Sequence, residues 1–290
     1  MITNEQHDFY LENGYIILEG VLDDEDFRPV REAMSETVDE IAATLYEAGR
    51  IPSLLDDLPF ETRLAAVSAV AGEGSAAEFG RSWRPRKPGY FEIISNPKLL
   101  DIAEALCGPE LIAHPVYNTR PMVPSSPHVI VPWHQDCSYL NYKVVQNQEI
   151  PAFWIPLVDV NEKMGCLQVA PRSKNKGLVS FHQEEYSGTG FIEIDFEHTD
   201  DMEIVVCEMK KGDVLIVDQM TYHRSTANTS DLVRWSIDIR YQDARLPTGF
   251  GGVSHLLRSE DRPEAVIDLD DFMNERSEKA DVERSPLAAP

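Results

Sequence analysis

Two His-x-Asp triplets stand in the sequence, His134-Gln135-Asp136 and His198-Thr199-Asp200. Such a triplet gains chemistry at the end of a strand. There, residues i and i+2 point to the same side, so a histidine and a carboxylate converge on one ion. His134 follows the apolar run Val129-Ile130-Val131-Pro132-Trp133, which reads as a strand. His198 lies in Asp195-Phe196-Glu197-His198-Thr199-Asp200-Asp201, a polar, turn-like stretch that reads as a solvated loop. Two histidines and one carboxylate on one face, with open positions opposite, is the donor pattern of non-haem Fe(II) oxygenases. The third ligand has to come from elsewhere, and His223 is the best candidate. It follows Gly212-Asp213-Val214-Leu215-Ile216-Val217-Asp218, a turn plus a buried strand.

Downstream, residues 233–241 alternate. Val233, Trp235, Ile237, Ile239 and Tyr241 fall on one face, and Arg234, Ser236, Asp238 and Arg240 on the other. Periodicity alone leaves two readings open. The polar face is solvated, or it lines a barrel interior while the apolar face packs under helices. In the second reading Arg234 presents a guanidinium to a carboxylate in a sheltered site, where a bidentate contact is strong and specific.

The elements that must position these residues change character near residue 110. Before it the chain reads as helical. Residues 8–14 suggest a short helix closed by Gly14, because glycine readily takes the left-handed cap conformation. Residues 15–18 suggest a strand. Asp23 or Asp24 can cap a long helix whose apolar residues Phe27, Val30, Met34, Val38, Ile41 and Leu45 recur every three or four positions. Residues 50–58 read as irregular, 60–70 as a helix, 72–82 as a loop, and 97–106 as a helix stopped by Cys107-Gly108-Pro109. After residue 110, short β-like runs are expected at 111–117, 129–133, 152–157, 166–170, 203–209, 214–217 and 233–241, with Lys210-Lys211-Gly212-Asp213 as a hairpin turn. A last helix is expected within 266–273. The spacing suggests a sandwich or barrel.

Asp and Glu number 50 against 26 Lys and Arg, a formal charge of −24. That balance argues against nucleic acid and anionic membrane as partners. No stretch approaches the roughly 20 apolar residues that span a bilayer. Four scattered cysteines, with no Cys-x-x-Cys, suit neither a disulfide framework nor a structural zinc site. A soluble, cytoplasmic protein is expected, a monomer or small homo-oligomer.

The ordered set of motifs resembles the phytanoyl-CoA dioxygenase family, within the Fe(II)/2-oxoglutarate-dependent oxygenases. The likeness runs from the N-terminus to about Tyr241. It is carried by Phe9-Tyr10-Leu11-Glu12-Asn13-Gly14-Tyr15-Ile16-Ile17-Leu18, by Pro132-Trp133-His134-Gln135-Asp136, by Trp154 and by residues 161–173. Residues 212–218, His223-Arg224-Ser225, Asn228-Thr229-Ser230 and Arg234 then follow in order. The resemblance implies that His134, Asp136 and His223 ligate Fe(II). It implies that Arg234, with Ser225 beside it, holds the distal carboxylate of 2-oxoglutarate, and that Trp154 lines the co-substrate site. Asn118 is a further candidate for the other end of 2-oxoglutarate. Where many relatives have Pro-Gly-Ser-His, this chain has Pro171-Arg172-Ser173-Lys174, a change that bears on substrate class more than on the iron.

The implied fold is an all-β core with helices: a double-stranded β-helix (jelly-roll, cupin-like) with an N-terminal helical layer. It is read as a single domain over 1–290, with the helical layer at about 1–109, the jelly-roll core at about 110–245 and a lid and tail at about 246–290. The implied reaction consumes O2 and 2-oxoglutarate, releases succinate and CO2, and hydroxylates a small-molecule metabolite. His128, Tyr139 and Phe250 are candidate substrate contacts, the last in a lid formed with the region between residues 50 and 90. His7 and His255 read as surface residues, and His114 as a packed or hydrogen-bonded one. Two rivals are a catalytically silent jelly-roll that binds a small molecule, and a cupin-type metalloenzyme that does not use 2-oxoglutarate. The intact His, Asp, His and Arg set argues against the first, and Arg234 against the second.

Overall fold

A computed structural model describes residues 2–72, 86–126, 130–183, 190–200 and 202–274. Helix α1 (Asn4–Asn13) begins with a capping box, in which Thr3 and Gln6 each accept from the other's backbone N–H. Gly14 ends it at φ 77°, and a Cβ there would lie 2.1 Å from Thr221 Oγ1. Only glycine allows the turn into strand β1 (Tyr15–Leu18) so close to the strand connection that precedes His223. Helix α2 (Asp24–Glu47) is capped by Asp23 and buries Phe27, Val30, Met34, Val38 and Leu45 along one stripe. Helices α3 (Phe60–Ala71), α4 (Pro88–Ile94) and α5 (Pro97–Cys107) complete the helical layer. Gly89 lets α4 cross α2 closely, since a Cβ there would meet Pro29 O at 2.0 Å.

The β elements are β2 (Leu111–Ala113), β3 (Asn118–Thr119), β4 (Ala152–Pro156), β5 (Leu167–Val169), β6 (Phe181–Gln183), β7 (Ile192–Ile194), β8 (Val205–Val206), β9 (Val214–Val217), β10 (His223–Ser225), β11 (Ser236–Asp243) and β12 (His255–Arg258). A one-turn helix α6 (Tyr142–Val145) precedes β4, and α7 (Leu269–Asn274) follows β12. The larger antiparallel sheet runs β1-β9-β4-β11-β2-β12, with β3 also on β11; the smaller runs β10-β5-β8, and β6 pairs β7. The chain folds as a double-stranded β-helix, with helices on the outer face of the larger sheet.

Strand β11 sets this arrangement. Its apolar face meets the helices: Trp235, just before it, stacks on Phe60 at 4.6 Å and donates to Phe60 O, and Tyr241 donates to Ile94 O at 2.9 Å. In register with β4, Asp238 stands opposite Trp154 and Arg240 opposite Ala152, so the polar face looks inward, between the sheets. The alternation at 233–241 therefore belongs to a buried strand with two different interiors.

Several expected elements differ. The run 111–117 keeps strand only over β2, stopping short of Pro115, which cannot donate to a ladder; the two-residue β3 begins beyond the run. Residues 130–133 form no ladder; Pro132 removes a donor, and pairing resumes only at the His134–His223 bridge. Within 203–209 only β8 and a bridge from Met209 to Val160 are paired. The turn Lys210-Lys211-Gly212-Asp213 is no hairpin. Asp213 N donates to Lys210 O at 3.1 Å as such a turn requires, but β8 pairs β5 while β9 pairs β1 and β4, so the turn passes the chain between sheets.

The segment after residue 245, read as lid and tail, contributes β12 to the larger sheet. It is anchored by Arg258 on Glu104 and Asp101, and by Glu110, which accepts from Ser259, Glu260 and Asp261. His255 is buried, not superficial, because it lies on that strand and packs edge-on against Phe272. Helix α3 lies under β11, not over the inner face. The loop expected at 72–82 falls, beyond Gly72, outside the described residues. Among them, no helix is long and apolar enough to cross a membrane.

Candidate metal centre and co-substrate cavity

His134 and His223 face each other across a two-residue bridge, each backbone N–H donating to the other's carbonyl at 3.0 and 3.1 Å. Both side chains repeat one local contact: Nδ1 lies 2.9 Å from a carbonyl two residues back, Pro132 O for His134 and Thr221 O for His223. A carbonyl can only accept, so Nδ1 carries the proton and Nε2 keeps its lone pair. This is the tautomer a metal ligand needs. Burial, and then His134, push His223 down to about 4, so it is neutral near pH 7.

Asp136 follows Gln135, whose extended backbone leads into a 3₁₀ turn (Asp136–Tyr139). Gln135 points the other way. Its amide donates to Gly177 O and Met220 O, and its oxygen accepts from Val179 N, which pins the backbone between His134 and Asp136. Asp136 Oδ1 lies 3.7 Å from His134 Nε2 and 3.9 Å from His223 Nε2. The three ligand atoms fall within 4.8 Å of one another, all buried, and form the one such cluster among the described residues. Burial pushes the Asp136 carboxyl up, but the Arg240 guanidinium and the two histidines outweigh it and hold the group well below the usual carboxylate range. Two imidazole nitrogens and one carboxylate oxygen, ionised and converging, suit Fe(II). His198 is elsewhere: its Nε2 meets Ser180 Oγ at 3.0 Å, and Asp200 is exposed.

The triad opens on a cavity between the sheets that Trp154, Ser225 and Arg234 also line. Arg234 is 2% exposed. Its Nη1 donates to Gly165 O at 2.7 Å, its guanidinium lies 5.5 Å from the Trp154 ring, and its Nε has no partner. It forms no ion pair among the described residues. Burial, and then Arg120, push it down to about 9. A buried guanidinium short of acceptors, on the same cavity as a cluster that could hold a metal ion, suits a carboxylate. Ser225 Oγ accepts from Val131 N at 2.8 Å.

Other expected residues fall differently. Asn118 donates to Asp238 Oδ1 at 2.8 Å and is not among the cavity's lining residues. Tyr139 sets its ring edge-on to His134 at 5.8 Å, while its hydroxyl accepts from Ile192 N. Phe250 packs 6.1 Å from His114 and does not line the cavity. His128 lies outside the described residues. Pro171-Arg172-Ser173-Lys174 is structural: Arg172 donates to Asn13, Ser173 to Ala170 O, and Lys174 to Asp218. Gln135, Arg120, Asp238 and Arg240 were missed as site residues. Asp238 and Arg240 were visible on the polar face of the alternating run, but nothing in the sequence pointed to their partners.

Comparison with known proteins decides the family. The profile of phytanoyl-CoA dioxygenase (PhyH) matches residues 10–236. The chain belongs to the phytanoyl-CoA dioxygenase family. It is an enzyme of dioxygenase type. It is 27% identical over 261 residues to 1-deoxypentalenic acid 11-beta-hydroxylase of Streptomyces arenae, covering 85% of this chain and 83% of that one. Its identity to phytanoyl-CoA dioxygenase domain-containing protein 1 of Danio rerio is 26%, covering 81% and 88%. The epimerase SnoN, solved with Fe3+, alpha ketoglutarate and nogalamycin RO, shares the fold at a TM-score of 0.53, with 21% identity over 83% of this chain and 85% of that one.

Proposed function

We propose that His134, Asp136 and His223 hold Fe(II), and that Arg234, with Ser225 and Trp154, holds the distal carboxylate of 2-oxoglutarate. The reaction is hydroxylation of an unactivated C–H bond in a small-molecule metabolite. 2-Oxoglutarate, O2 and the substrate C–H give succinate, CO2 and the C–OH product. The observation that carries this reading is Arg234: a buried guanidinium, opening on the cavity of the His-Asp-His cluster, whose Nε has no partner. The iron, when bound, supplies the O2 chemistry; the protein binds, orients and shields. His134 and His223 bring bare Nε2 atoms to one point. Asp136 supplies one anionic oxygen. Arg234 binds the dianionic co-substrate at one end only, which leaves its oxo acid end free to face the triad.

A hydroxylase of a carboxylic acid among the relatives, and a fold neighbour solved with iron and alpha ketoglutarate, support this reading. The formal charge of −24 disfavours polyanionic substrates over the outer surface. Four free cysteines, three of them buried, suit a reducing compartment, and the cytoplasm is the proposed location. Helices, jelly-roll and tail are taken as one domain. The test is succinate release from 2-oxoglutarate with added Fe(II) and ascorbate, then stimulation by a panel of neutral, cationic and CoA-linked candidates. Stimulation by a small metabolite is expected. No turnover of 2-oxoglutarate by the Fe(II)-loaded protein, or stimulation by an acyl-CoA alone, contradicts the reading.

A further inference from the structure

Asp136 is held from behind by a chain of charges. Arg240 Nε and Nη2 both donate to Asp136 Oδ2, at 3.0 and 2.7 Å. The third nitrogen, Nη1, donates to Asp238 Oδ1 at 2.8 Å. Asp238 is itself fixed, accepting from Arg120 Nε at 2.7 Å and from Asn118 Nδ2 at 2.8 Å. Asp136, Asp238 and Arg240 are all buried. The two oxygens of Asp136 therefore have separate partners: Oδ2 is taken by the arginine fork, and Oδ1 faces the two histidine Nε2 atoms.

Carboxylates bind hard cations through one oxygen or through both. A carboxylate free to turn would present both oxygens and occupy two coordination positions. We propose that Arg240 is a positioning residue that restricts Asp136 to single-oxygen ligation, and so keeps one more coordination position open beside the triad. This rests on the reading of the triad as a metal centre. The fork cannot swing away, because its remaining nitrogen is tied to Asp238. Lysine cannot replace it, because one ammonium lacks the planar set of donors that reaches Oδ2 twice and Asp238 once.

The consequence is countable. An octahedral ion held by three protein atoms keeps about three positions for water, and one held by four keeps about two. Mn(II), added without co-substrate, is the probe, and water-proton relaxation counts its bound waters. Wild type should bind Mn(II) with about three waters. Arg240→Lys keeps the charge and hence the fold, but loses the fork, and should drop to about two. Arg240→Gln should do the same where it folds. A role confined to charge balance would leave Arg240→Lys at the wild-type count, and that result overturns the proposal while leaving the metal centre intact. Two waters already on wild type would also overturn it. No saturable Mn(II) binding by wild type would sink both readings.

Discussion

The inward face of β11 and its approach carry a buried arginine at each end, and the two are in opposite states. Arg240 has every nitrogen engaged, twice on Asp136 and once on Asp238, and its guanidinium is held more tightly protonated than usual because those carboxylates outweigh the cost of burial. Arg234 has one backbone carbonyl, an aromatic face and an unpartnered Nε, and burial pulls it down to about 9. A buried charge is tolerated when paired and expensive when it is not. On the proposed reading, the paired end is internal structure that holds Asp136 in place, and the unpaired end receives an outside anion.

The largest effect that sharpens this comparison is at the metal itself. His223→Ala should abolish measurable Fe(II) binding and turnover while the sheet stays folded, because the proposed triad loses one of its three donors; iron analysis after desalting checks it, and retained iron would break the triad assignment. Next come the two arginines, compared by urea unfolding of the metal-free, co-substrate-free protein. Arg240→Met strips buried Asp136 of its guanidinium partner, leaves Asp238 with Arg120 alone, and should destabilise by about 3–5 kcal/mol. Arg234→Met removes an uncompensated charge and should be neutral or stabilising by up to ~1 kcal/mol. Equal losses at both positions would erase the distinction.

Smaller is the pH effect. His223 is depressed to about 4 in the folded chain, against about 6.5 unfolded. The unfolded state thus binds the extra proton in that window, so the metal-free protein should lose stability as pH falls from about 6.5 to about 4, by roughly 1.4 kcal/mol per unit at most. His223→Gln should flatten that slope in a urea series. The smallest effect is expected at His198, where Ala should leave iron content unchanged and stability within about 0.5 kcal/mol.

Much of this arrangement is legible in the sequence, and for a reason. Period-two alternation around β11 sorts its side chains onto two faces, so Arg234, Asp238 and Arg240 are identifiable as a set before any contact is known, while the fold alone makes the polar face an interior. The helical stripe of α2 is legible for the same reason. What escapes is pairing over distance. That Arg240 clamps Asp136 depends on folding two segments together across the cavity, and neither segment carries a local signal of its partner. Strand β12 escapes because its four residues carry almost no pattern until Ala113 and Leu111 stand beside them. The turn at 210–213 has hairpin chemistry, and only the sheet assignments show that it links different sheets.

The most direct test of the central claim is anaerobic titration of the Fe(II)-loaded protein with 2-oxoglutarate, comparing wild type with Arg234→Met. Saturable binding to wild type is predicted. A loss of about 3–5 kcal/mol, roughly 100-fold or more in affinity, is predicted for the variant at equal iron content. Equal affinity in the two proteins would show that the Arg234 guanidinium is not the co-substrate seat.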